Sequence, residues 1–164
     1  MSSRLFGILL LLGAMFAACT NSGRDYSRWA DIPSAGWAYA DAVSLLPIDT
    51  TIADNDSLVT AAVKVALRHG NDYAYSNLWV EMTYVSEQNL AVCDTVNIRL
   101  ADVYGRWLGS GFGASYQREV TVAPTAVVDV TRPVVVRHIM RIDTLRGIEQ
   151  IGIEIATSRI DASN

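Results

Sequence analysis

Cys19 is the residue whose surroundings assign it a reaction. Arg4 supplies a positive start, Leu5 to Phe16 an apolar run, Ala17 and Ala18 the small residues a signal peptidase needs, and TNSGRDYS a polar continuation. Together they read as a lipoprotein signal, residues 1–18, cut before Cys19, whose thiol takes a diacylglycerol and whose freed amine takes a further acyl chain. A spanning helix is the rival reading, but the run falls short of the roughly 20 apolar residues that ~30 Å of hydrocarbon requires. Several acyl tails at ~0.8 kcal/mol per buried methylene make the attachment effectively permanent.

Other residues with chemical potential do not assemble into a reactive site. His69 and His138 share no His-x-x-x-His spacing, so they read as strand or capped-loop residues and no metal is expected. Asp54-Asn55-Asp56 begins like a calcium loop, yet Leu58 stands where a third oxygen ligand is wanted and no glycine turn follows. Asp94, Asp102 and Asp143 fall at strand ends, where carboxylates cap turns, and no Gly-x-Ser-x-Gly elbow occurs. The glycine-rich run Ala101 to Gly113 precedes a strand pattern where a phosphate cradle needs a helix N-terminus. It reads as a hairpin and bulge region with Trp107 and Phe112 packed over its glycines. The chain is therefore expected to be no enzyme and to hold no cofactor. What remains is recognition. Tyr73, Tyr75, Asn77, Trp79, Arg106 and Trp107 combine aromatics with arginine, the composition of protein-binding surfaces. The alternative for the same aromatics is a stacking platform for glycans.

Bulk properties narrow the partners. Removing 18 of 164 residues leaves enough chain for one domain with an ordinary core. Thirteen Lys and Arg face 17 Asp and Glu, a net charge of −4, and Lys64 is the single lysine, so nucleic acid is excluded as a partner. With Cys19 acylated, Cys93 has no partner for an intramolecular disulfide and the core must hold the fold alone. In the strand-like stretch AVCDTVNI, Cys93 reads as a buried, inert thiol.

The elements that would position these residues are strands. Residues 19–36 comprise the lipidated cysteine and an aperiodic stretch of Ser, Asn, Gly, Asp and Pro, read as a flexible tether, and 37–164 as the domain. Period two governs the domain: Val59, Ala61, Val63, Val65 and Leu67 share one face against Thr60, Lys64 and Arg68. Leu78, Val80, Met82 and Tyr84 repeat the pattern, as do Val96, Ile98 and Leu100, then Val120 and Val122, Val134 to Ile142, and Ile148 to Ala156. Only Ala38 to Leu46 is ambiguous, and Pro47 ends it. Short strands at 8 to 12-residue spacing without crossover helices predict an all-β fold. The expected architecture is an antiparallel two-sheet sandwich, Ig-like or jelly-roll-like, of about seven or eight strands.

Three stretches in order carry a family resemblance: RHGNDYAYSNLWV at Arg68 to Val80, CDTVNIRLADVYGRWLGSGFG at Cys93 to Gly113, and MRIDTLRGIEQIGIEI at Met140 to Ile155. Behind a lipidated cysteine, they resemble the gliding-motility lipoprotein GldH family of Bacteroidota. Val120 to Ile139 departs from the family pattern in being richer in Val and poorer in charge. The resemblance implies an outer-membrane lipoprotein tied to the gliding machinery and the type IX secretion linked to it. It brings no catalytic residues. Because members also occur in bacteria that do not glide, it implies a role in envelope or secretion assembly, with other envelope proteins as partners. No Asp or Glu cluster follows Cys19, which leans the expected placement toward the periplasmic face.

Overall fold

A computed structural model of the chain describes residues 25–48 and 57–157. The signal segment, Cys19 and the Asp54-Asn55-Asp56 motif lie outside the described residues. Among those described there are eleven strands: β1 (Tyr26–Asp31), β2 (Trp37–Ala38), β3 (Val43–Leu45), β4 (Leu58–Gly70), β5 (Asn77–Val85), β6 (Ala91–Arg99), β7 (Ser110–Phe112), β8 (Ser115–Asp129), β9 (Val134–His138), β10 (Thr144–Leu145) and β11 (Ile148–Thr157). All pairings are antiparallel. One sheet has the order β1-β11-β4-β8-β7, the other β3-β9-β5-β6, and a two-stranded ladder joins β10 to β2. The all-β, two-sheet reading holds, with the expected long strands supplemented by pieces of two or three residues.

Alternation explains the core. On β4, Ala61, Val63, Val65 and Leu67 are fully buried, and β11 answers with Ile151, Ile153 and Ile155. Leu78, Val80 and Met82 of β5, Val96 and Ile98 of β6, and Val134 and Val136 of β9 line the facing sheet. Each buried Val, Leu, Ile or Met among them contributes about 1.5–3 kcal/mol by leaving water, and the core holds the sheets together. Trp37 and Leu145 of the small ladder join the same cluster.

Two expectations change and one open reading is settled. Residues 25–36 are not all tether: β1 pairs along β11 from Tyr26 opposite Ile155 to Asp31 opposite Gln150, and Ile32 is buried behind it. An edge strand needs only one paired side, and the irregular burial of YSRWAD gives no period-two signal. The ambiguous Ala38 to Leu46 holds the end of β2 and all of β3, with Pro47 beyond. Cys93 is exposed, because β6 turns Val96 and Ile98 inward and therefore turns residues 93, 95, 97 and 99 outward.

The Val-rich stretch forms the later part of β8 and all of β9. Register shifts between Ala61 and Lys64 leave β8 with extra residues, and Pro124, which has no N–H to give a ladder, falls inside the first of them. The strand bends there and also meets β5 and β6 of the other sheet.

Candidate functional site

Strand direction sets which end of the molecule faces outward from the chain's entry. Asp25 sits beside Thr157, whose amide its carboxylate accepts, and Thr157 pairs with Ala61. From that row β4 climbs to Gly70, roughly 30 Å at ~3.3 Å per residue. The loop to β5, the end of β6 and the residues before β7 all lie at that far end, which is where the sequence placed its candidates.

The candidates divide there. Asn77 and Trp79 project from the outer face of β5, opposite Arg99 and Asn97 of β6, and the Asn77 amide donates to the Asn97 side-chain oxygen at 2.9 Å. Trp79 is 40% exposed, and Tyr75, at the edge of the same face, is also exposed. In the next row Arg137 donates to Glu81 at 2.7 Å, which holds the Glu81 carboxyl below its usual range.

Tyr73 and Trp107, by contrast, turn inward. Tyr73 is 4% exposed and its hydroxyl donates to the Asn77 carbonyl at 2.9 Å; burial raises its pKa well above the ordinary phenol value. Trp107 is half-buried, with its ring 4.6 Å from that of His69; Tyr116 stacks on the imidazole at 5.7 Å and also meets the Trp107 ring, at 6.1 Å. Tyr73 is packing, and the expectation that it contacts a partner is corrected; Trp107 packs on His69 and keeps part of its ring open to solvent. Trp107 covers His69 where glycines were expected beneath it; the Phe112 side chain lies outside the described residues. The glycine part of that expectation holds at Gly109, whose φ of +97° and approach to the Gln117 carbonyl leave no room for a Cβ.

Both histidines are fully buried. His69 Nδ1 donates to the Gly70 carbonyl at 3.1 Å and His138 Nε2 to the Trp37 carbonyl at 3.0 Å. Their other ring nitrogens have no hydrogen-bond partner among the described residues. Burial lowers both pKa values, so both rings are neutral and structural.

Arg106 belongs to the hairpin expected here, with Asp102 capping its turn as expected, and what the sequence reading passed over is the turn's apolar tip. Ala101 bridges Trp107, the Asp102 amide donates to the Arg106 carbonyl, and between them Val103 and Tyr104 stand 89% and 82% exposed. Asp102 fastens the turn: its carboxylate accepts the amides of Tyr104 at 2.8 Å and Arg106 at 3.0 Å and the Arg106 guanidinium at 2.7 Å. These bonds, the Arg106 amide foremost, hold its pKa below the usual value. The guanidinium also lies 5.5 Å from the Tyr104 ring. The Asp-x-x-Gly spacing was legible as a turn; the signal passed over was an apolar pair, Val-Tyr, at a tip where polar residues are usual. Since Leu100 and Ala101 bond to the Ser76 carbonyl, the turn rises directly beside Tyr75 and Asn77.

An ordered turn presenting an amphipathic ring and an arginine, next to an exposed Trp and Tyr, has the chemistry of a binding surface. Among the described residues no three His, Cys, Asp or Glu side chains come together as metal ligands.

Comparison with known proteins gives two findings. Residues 24–155 match the family model described as GldH lipoprotein, a span that begins just before β1. Over 153 residues the chain is 28% identical to the gliding motility lipoprotein GldH homolog of Christiangramia forsetii, covering 88% of this chain and 90% of that protein.

Proposed function

The chain belongs to the GldH lipoprotein family, and from that membership we propose that it is a non-enzymatic adaptor of the cell envelope, tethered by acyl chains on Cys19. Its partners are other proteins of the motility or type IX secretion-linked apparatus. Its place is the outer membrane, facing the periplasm. The observation that carries the reading is the Asp102-fastened turn, which holds Val103 and Tyr104 out in solvent at the end away from where β1 enters. A monomeric domain has no folding reason to order an exposed Val-Tyr pair, whereas a partner gains from a ring whose position is settled before contact.

In-cell crosslinking and affinity purification of a Tyr75→Ala, Tyr104→Ala double variant tests this. Truncating interface anchors costs about 2 kcal/mol or more each, so recovered partner should fall at least thirtyfold. The thermal midpoint should move little, because exposed substitutions usually stay within ~0.5 kcal/mol. Tyr73→Ala is the contrasting control, expected to cost about 3–5 kcal/mol of stability as a core truncation. Undiminished partner recovery with the double variant would sink the adaptor reading.

A further inference from the structure

The outer face of the five-stranded sheet is lined with polar side chains. Its two cations are treated differently. Lys64 is neutralised between Glu154 at 2.7 Å and Glu119 at 3.0 Å. Arg68, four residues on, is held by amide oxygens: its Nε donates to Gln117 at 2.9 Å and its Nη1 to Gln150 at 2.6 Å. Among the described residues it forms no ion pair. The Gln150 amide donates in turn to Asp31 at 2.6 Å, so one row of planar polar groups crosses β1, β11, β4 and β8. Beneath it the Trp29 ring lies over Gly152, where a Cβ would come within 2.6 Å, and the guanidinium rests 4.7 Å from that ring's centre. Arg68 is thus oriented from below and from both sides.

This row borders a concavity of about 830 Å³, which Asp72, Glu149, Ser110 and Ser115 also line. The volume is in the range of small-ligand sites. Glu149 is already set by the Ser115 hydroxyl at 2.6 Å. Three carboxylates against one guanidinium disfavour an anion. An ammonium has donors for the carboxylates but nothing to accept from Arg68, Gln117 and Ser110. What fits is a ligand whose groups donate to carboxylates and accept from N–H at once, which is the property of hydroxyls on a sugar ring. We propose that this pocket binds an uncharged glycan of one or two sugar residues, with Arg68, Gln117 and Ser110 as donors and Asp31, Asp72 and Glu149 as acceptors.

The test uses the full-length lipidated protein in lauryldimethylamine oxide, a detergent without a sugar headgroup. It is applied to a printed array of uncharged, acidic and amine-bearing glycans, and hits are titrated calorimetrically as free oligosaccharides. Uncharged glycans should be retained and acidic ones not. Arg68→Met keeps an unbranched side chain of similar reach beside Trp29 but removes the donors, and should weaken binding at least tenfold. Asp31→Ala, at the exposed sheet edge, should weaken it too without unfolding the domain. Tyr104→Ala should leave it unchanged, which separates this site from the docking surface. Three results would overturn the proposal: no uncharged glycan bound, affinity indifferent to both pocket variants, or binding confined to amine-bearing glycans or an oligolysine peptide.

Discussion

His69 and His138 each spend one ring nitrogen on a carbonyl and keep the other dry, and this has a measurable cost in acid. Their pKa values are lowered in the folded protein and near 6.5 in the unfolded chain. The unfolded state therefore binds more protons once pH drops below about 6.5, and stability falls from there downward. The limiting slope is about 1.4 kcal/mol per pH unit for each ring. Glu81 and Asp102, whose folded pKa values are lowered below 4.5 and 3.8, lose their contribution only in stronger acid. Urea midpoints should be level above pH 7 and decline between pH 6.5 and 5; a flat line there would contradict the neutral-ring description. At this scale the sequence showed which residue types matter but not their direction. Tyr73 and Tyr75 are two apart, yet one is core and the other surface, because the loop before β5 folds Tyr73 under the Asn77 carbonyl. Cys93 was legible in principle: the inward set Val96 and Ile98 already placed odd-numbered neighbours outside.

Among the elements, the long strands were readable because burial on one face imposes alternation, which β5 and β6 keep throughout, β4 as far as Val65, and β11 except about Gly152, where Trp29 covers the outer face. β1 escaped because what makes it a strand lies over a hundred residues away, in the open edge of β11. The exposure of Val103 and Tyr104 escaped for a similar reason, being set by bonds to Asp102 and not by any period. A chain starting at Trp37 would lack β1 and Ile32, leaving the β11 edge bare. Such a chain is expected to lose at least ~3 kcal/mol, about 10 °C in thermal midpoint, and to aggregate through the uncovered edge. A chain starting at Gly23 keeps the strand. Equal melting of the two would return β1 to the tether.

For the molecule as a whole, the chain enters beside Thr157, climbs one edge, and shows its aromatic surface at the other end of β4. A domain held at Cys19 in this way would reach away from the bilayer by about the length of its sheet. The chain has two cysteines, and acylation would consume Cys19. That leaves Cys93 as a single reactive reporter on the outer face of the four-stranded sheet, the face that carries Trp79. A maleimide too polar to cross the outer membrane should leave Cys93 unlabelled in intact cells of a periplasm-facing protein and label it once the envelope is permeabilised. Labelling in intact cells would place the domain outside, so the same native thiol records both sidedness and, by its shielding, whether a neighbour covers that sheet.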